Sequence, residues 1–327
     1  MKTCAVGIDL GGTNIKGGLV HPDGSVILKK SIKTEASGGT EHVVGRIAQL
    51  VRDLMAEGGV GKDTVAAVCV GSPGPLDSRT GVVHETPNMG WRNVPLGDLL
   101  ADKLGMRVFV ENDANVAAFG EAWAGVARDS RCTIMLTLGT GIGGGIIMNG
   151  GLWRGVTDTG AELGHMTINF DGPLCGCGNR GCIEAYASAT AVARRMKEAV
   201  QAGRASTLAV RIKAGEEADS EQIYNAAAAG DSLAREIFEQ TGCYLGIAIA
   251  NYINIFNPDC IVLHGGMVNA GDMLTAPLWK EVKKRSFEPS LKKLRIVPSA
   301  LRGDAGIVGA AGIAFQRTGQ GQGRDNP

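Results

Sequence analysis

Apolar and polar positions change their period several times along the chain. Runs rich in Val and Ile at residues 4–9, 15–20 and 26–33 predict three opening strands, and an amphipathic stretch at 41–55 predicts a helix after this meander. Residues 65–70 and 107–111 predict two further buried strands. The second runs directly into Asn112, Asp113 and a helical pattern through Trp123, and such a strand-to-helix junction is a natural place for a catalytic residue. A polar loop region at 149–182 leads into helical patterns at 184–202, 221–229 and 231–254, so the second half is the more helical. A short apolar strand at 260–263 ends in His264, Gly265 and Gly266, and a last small-residue helix is expected at 306–316. The tail from Arg317 on is Gly, Gln and polar residues and is expected to be disordered.

One segment echoes another. GIDLGGTNIKGGLV (residues 7–20) returns in altered form as LTLGTGIGGGIIMNG (136–150), each a strand, a tight Gly-rich turn and a second strand. Two unrelated hairpins would read the same way, but duplication is the preferred reading, because each copy would then supply one wall of a cleft.

Composition narrows the class. At 327 residues and 33.9 kDa the chain fits two domains, each able to bury its own core. Lys plus Arg equals Asp plus Glu at 33 each, which argues against a basic nucleic-acid face or a membrane-surface partner and points to small-molecule chemistry. The first residues enter a strand with no signal-peptide pattern, so no export is expected. The longest apolar stretch, 243–256, is interrupted by Tyr244, Asn251 and Asn254 and reads as a buried helix rather than a membrane span. Five of eight cysteines lie singly in apolar patterns and three cluster, which suits a reducing cytoplasm better than a disulfide framework.

Three constellations carry chemistry. Asp9, Gly11, Gly12 and Thr13 form a strand-end turn whose backbone N–H groups and hydroxyl could face a phosphate, with Asp9 holding a hydrated Mg²⁺. Alone this is also an ordinary hairpin turn; paired with Gly139, Thr140 and Gly141 in the echoed turn it becomes a two-sided phosphate clamp. Asn112 and Asp113 suit a carboxylate base at a strand end, and equally a helix cap; both can hold at once. His165, Cys175, Cys177 and Cys182 offer one imidazole and three thiolates for a closed tetrahedral Zn²⁺ site. Four filled positions leave none for substrate water, so this zinc is expected to be structural.

These residues resemble the ROK group (repressors, uncharacterised reading frames and sugar kinases) of the sugar kinase, heat-shock and actin superfamily. The likeness rests on EN-D-A-N at 111–115 and on GAELGH followed by CGCGNRGCIE, and runs from near Asp9 to near Gly312. It implies an α/β, two-lobed actin-like ATPase (ribonuclease H-like) fold with duplicated domains and a central cleft. The boundaries expected are 1–115 joined by a C-terminal helix 304–317, then 116–303 with the zinc loop, and a disordered tail at 318–327. It implies ATP-dependent phosphorylation of a hexose 6-hydroxyl, glucose being preferred, with Asp113 as base. Asn112, Glu162, His165 and Glu184 would contact sugar hydroxyls, His165 binding zinc through its other ring nitrogen.

Residues 71–74 and the 86–91 loop would line the sugar side through Asn88, although a plain turn reads equally well there. Asp9, Gly11, Gly12, Thr13, Lys16, Thr137, Gly139, Thr140 and Gly141 fall on the nucleotide side, where Mg²⁺ accompanies ATP. Gly265 and Gly266 resemble the adenosine-side turn, or a plain strand-to-helix turn. A homodimer or homotetramer is expected by likeness. The alternatives are a kinase for N-acetylmannosamine, fructose, allose or mannose, a polyphosphate donor, or a sugar-sensing regulator without kinase activity. Such regulators add an N-terminal helix-turn-helix, for which Asp9 lies too near Met1. A chaperone- or actin-type ATPase would share the hairpins but not the zinc cluster or the Asn112–Asp113 pair.

Overall fold

A computed structural model describes residues 3–86 and 88–319. In chain order the elements are β1 (Cys4–Leu10), β2 (Asn14–Val20), β3 (Val26–Lys33), α1 (Gly39–Glu57), β4 (Val65–Ser72), β5 (Leu76–Asp77), β6 (Val82–Thr86), β7 (Trp91–Val94), α2 (Leu96–Leu104), β8 (Val108–Asn112) and α3 (Asp113–Trp123). Then come β9 (Cys132–Leu138), β10 (Ile142–Met148), β11 (Gly151–Leu152), α4 (Glu184–Ala187), α5 (Ala189–Gln201), α6 (Ala209–Lys213), α7 (Ser220–Ala228) and α8 (Ser232–Phe256). The chain closes with β12 (Cys260–His264), α9 (Asp272–Arg285), α10 (Glu288–Leu291), β13 (Arg295–Pro298) and α11 (Ala305–Arg317). It divides into two compact units, one of Met1–Met135, Gly145–Ala161 and Ser299–Pro327, the other of Leu136–Gly144 and Glu162–Pro298.

The first sheet has the order β3-β2-β1-β4-β8, with β1 to β3 antiparallel and β4 and β8 parallel to β1. β1 and β4 are almost wholly buried, as the continuous apolar runs of inner strands require. β3 alternates half-buried with exposed positions and turns Lys29 outward, a charged edge that resists pairing with another chain. The stripe Val43, Val44, Ile47, Leu50, Val51 and Leu54 of α1 enters the core with Ile8 and Leu19. α11 returns to this unit and packs along α3 so closely that a Cβ on Gly309 would stand 1.8 Å from the Val116 carbonyl oxygen.

The second sheet repeats the order of the first, as β11-β10-β9-β12-β13, so the two hairpins heard in the sequence occupy corresponding places. In the second unit α8 runs for 25 residues and is buried on most of its surface, including Leu245, Ile249 and Tyr252. Asp231 caps its start and Asn257, in the left-handed region at φ 47°, ends it. Among the described residues no helix is long and apolar enough to cross a membrane.

Several elements depart from the pattern reading. The 71–91 region holds the small sheet β5-β6-β7, whose strands of two to five residues are too short to show a period of two. The helix expected at 184–202 is two helices, because Ser188 is extended (ψ 164°) and caps α5 by accepting from the Ala191 N–H. α9 had no clear signature, since Pro277 lies inside it. Of the tail expected to be disordered, Arg317 belongs to α11, and Thr318 and Gly319 still donate to helix carbonyls; residues 320–327 lie outside the described residues.

Candidate active site and metal centre

In the first unit the strand register gathers the candidates. β1, β4 and β8 run parallel, and Asp9 lies beside Gly71, Gly71 beside Glu111, and Ser72 beside Asn112. All sit at the carboxyl ends of the strands, where α/β sheets place their ligand sites. Two strand spacings separate Asp9 from the Glu111 backbone, about 10 Å. Asn112 accepts from the Ala114 and Asn115 N–H groups through Oδ1, so the cap expected from its residue type is present and Asp113 stands in the first turn of α3.

The β1–β2 turn is held from outside. The Gly11 N–H donates to Asn14 O, Thr34 Oγ1 donates to Gly11 O at 2.6 Å, and the Thr34 N–H donates to Thr13 O. This leaves Gly12 and Thr13 exposed, with Lys16 Nζ 3.8 Å from Asp9 Oδ2. A Cβ on Gly12 would lie 3.4 Å from that of Asn88, which brings the 86–91 loop and the β1–β2 turn together.

In the second unit the echoed turn is equally tight, the Gly139 N–H donating to Gly141 O. Thr137 Oγ1 accepts from the Gly143 N–H and braces β9 against β10. The start of α5 holds the outside, as the Ala189 N–H and Thr190 Oγ1 donate to the Gly139 and Thr140 carbonyls. Gly265, at φ 106°, closes on the end of β9, where a Cβ would stand 2.3 Å from Leu138 O, so only glycine fits; Gly266 follows it into a turn of 3₁₀-helix.

The four soft donors come together. His165, Cys175, Cys177 and Cys182 place their ligand atoms within 4.8 Å of one another. Cys177 Sγ is 3.7 Å from Cys182 Sγ, and Cys175 Sγ is 3.7 Å from His165 Nδ1. A tetrahedral zinc with ~2.3 Å sulfur bonds has edges of about 3.8 Å, so the donor set fits that ion. Nδ1 faces the sulfurs, which leaves Nε2 facing away, 3.9 Å from Glu162 Oε2. Burial pushes the Cys175 thiol up to about 12 and raises Cys182, while the Asn179 N–H lowers Cys177. Thiols so raised lose their protons to solvent near neutrality only where a cation takes the proton's place on sulfur.

Glu184 joins this cluster to the echoed turn. Its Oε2 accepts from the Ile142 N–H at 2.9 Å, and its Oε1 lies 3.3 Å from Cys175 Sγ. A Cβ on Gly141 would meet Oε2 at 2.4 Å, so glycine is what admits the carboxylate.

The sequence pattern of the ROK family matches residues 5–317. The chain belongs to the ROK family. It is 40% identical, over 97% of its length and 99% of the other's, to a glucokinase of Thermotoga maritima. Among solved structures it superposes on a ROK hexokinase from Thermus thermophilus with a TM-score of 0.84 (33% identity, 98% of this chain and all of that one). It also matches a ROK glucokinase from Streptomyces griseus in complex with glucose and AMPPNP (TM-score 0.79, 33% identity, 96% and 99%). A ROK transcriptional regulator, a homologue of the Escherichia coli MLC protein, fits with a TM-score of 0.85 at 29% identity, this chain spanning 80% of its length. The fold is therefore the actin-like sugar kinase fold.

Several residues that serve these ROK elements had no signal in the sequence. Thr34 locks the β1–β2 turn from β3's far end. Arg194 and Arg195 on α5 donate to the Ala185 and Tyr186 carbonyls, fixing α4, which Glu184 begins. Arg154 pairs with the buried Glu111 just before Asn112. In each case only the helix or loop pattern was visible, and the partner lies in another element, 9 to 43 positions away.

Proposed function

We propose that this ROK chain is a glucokinase that transfers the γ-phosphoryl group of ATP to the 6-hydroxyl of glucose. The observation that carries the reading is that the Asn112–Asp113 turn and the Asp9–Thr13 turn lie at the same end of one sheet, two strands apart, in a chain 40% identical along its length to a glucokinase.

Asp113 accepts the proton of the sugar hydroxyl as that oxygen bonds to the γ-phosphorus and the bond to the departing ADP breaks. Asn112, Glu162, His165, Glu184 and Asn88 hold the other hydroxyls. Gly11, Gly12, Thr13 and Lys16, together with Thr137, Gly139, Thr140 and Gly141, take the phosphates, with Gly265 and Gly266 at the adenosine. Asp9 would hold the Mg²⁺ that accompanies ATP, which would supply charge neutralisation to the phosphates. His165, Cys175, Cys177 and Cys182 would hold a structural Zn²⁺, which would fix the orientation of the His165 ring.

The ATP requirement and the free thiols fit a cytoplasmic protein. The family likeness favours a homodimer or homotetramer. ADP release with Mg-ATP against glucose, mannose, fructose, allose, N-acetylglucosamine and N-acetylmannosamine tests the reading. Strong preference for glucose is expected. Preference for another sugar, or turnover only with polyphosphate, would correct the substrate, and none at all would leave the sugar-sensing role that the likeness to a ROK regulator offers.

A further inference from the structure

The catalytic turn hangs on a buried ion pair. Glu111, next to last in β8, is 1% exposed and its carboxylate is fully engaged. Oε1 accepts from the Asn112 N–H and from Asn115 Nδ2, each at 3.1 Å, while Oε2 accepts from Arg154 Nε at 2.6 Å. Asp113 thus lies between two residues tied to one carboxylate, and Asn112 Oδ1 in turn caps the helix that carries Asp113.

Arg154 is itself fixed. Its carbonyl accepts from the Gly160 N–H at 2.8 Å, and the preceding Trp153 N–H donates to Ile146 O at 2.9 Å. Farther along the same loop, Asp158 Oδ2 accepts from the Ser78 N–H at 2.8 Å. The guanidinium therefore reaches Glu111 from a loop pinned at three points.

We propose that Arg154 is a positioning residue for Asp113, acting through Glu111. A buried carboxylate without its counter-charge takes up a proton or turns toward water. Either change weakens its hold on the Asn112 N–H and the Asn115 side chain, and the turn that aims Asp113 loosens. A displacement of about 1 Å at a reacting group costs on the order of 10²-fold in rate. The role rests on the kinase reading above, but its structural half does not need it.

The test compares Arg154→Met, Arg154→Lys and the double variant Glu111→Gln/Arg154→Met with the wild type, as full chains loaded with zinc. Three readings are taken: kcat and KM for glucose phosphorylation, thermal unfolding, and hydrogen exchange of amides 112–116. Arg154→Met should lower kcat by about 10²-fold, leave the KM for ATP within about twofold, and speed exchange at 112–116. Arg154→Lys should recover part of kcat, because it keeps the charge but loses the planar guanidinium whose Nε–H donates to Glu111. The double variant should recover stability, because a glutamine carbonyl still accepts the two hydrogen bonds and no buried charge is left alone. If Arg154→Met fails to fold, the other two carry the same comparison. Variants that melt earlier yet keep wild-type kcat per folded molecule would reduce the pair to a structural one and overturn the inference. A wild type without hexose turnover overturns the kinase reading instead, and the exchange rates at 112–116 then decide whether the clamp exists.

Discussion

The turn at Asn112–Asp113 and the loop at 163–183 both present polar side chains, yet they are organised by opposite means. The first is the joint of a buried parallel strand and a capped helix, and its backbone is settled by ladder hydrogen bonds and the Glu111 clamp. The second has no strand ladder: isolated bridges join Thr167 with Cys182 and Leu174 with Arg180, backbone bonds such as Ile168 N–H to Gly181 O and Gly181 N–H to Pro173 O tie its turns, and it leaves Phe170 and Leu174 exposed. Apolar burial supports its ends, at Leu163 and Ile183, more than its exposed middle, so a metal held by its side chains is expected to add to its order. Regular structure preorganises the proposed base, whereas the metal would organise the loop.

The largest effect expected is on the chemistry of the first region. Asp113→Asn keeps the size and the helix start, so it should lower turnover by ~10²–10⁴-fold, the worth of a general base. Its melting temperature should stay close to that of the wild type. A variant that retained turnover would remove Asp113 from the mechanism, and one that unfolded would show that the turn is less preorganised than its hydrogen bonds indicate.

Stripping the metal sharpens the contrast. A chelator, or Cys182→Ser, should lower the melting temperature and speed amide exchange across 163–183, while amides of 108–123 change little. Zinc content measured on the purified protein checks the ion itself. Uniform loosening of both regions would erase the distinction drawn here.

The smallest effect concerns a part of the second unit that needs no metal. Burial alone would raise the carboxyl of Asp231, but hydrogen bonds from Ser206 Oγ, the Ala234 N–H, and Thr207 Oγ1 and N–H outweigh it and bring it to about 2. Unfolded, the group titrates near ~3.9. Its contribution is therefore present above about pH 4 and is lost as pH falls toward 2. Asp231→Asn should flatten the acid limb of stability in that window and cost about 1 kcal/mol at neutral pH as a weakened cap; an unchanged acid limb would show that Asp231 does not carry it.

Much of this was legible beforehand because the signals were local. The echoed hairpins, the strand running into Asn112 and Asp113, and the spacing of His165, Cys175, Cys177 and Cys182 all lie within short stretches whose residue types allow few conformations. The break at Ser188 and the strands of the β5-β6-β7 sheet were missed because each depends on one residue's backbone angle or on two to five residues. No window of sequence that short outweighs its neighbours.

By itself, the sequence determined the residue types, the strand–turn–strand repeats, the soft-donor cluster and the family likeness. Tertiary structure alone decided that Arg154 meets Glu111 across 43 positions, that Thr34 closes the β1–β2 turn, and that Glu184 spans Ile142 and Cys175. The reason is physical. Periodicity and spacing encode contacts within a turn or a strand, whereas a buried charge finds its partner only when sheet register and loop path have brought distant segments within 3 Å, the reach of a hydrogen bond.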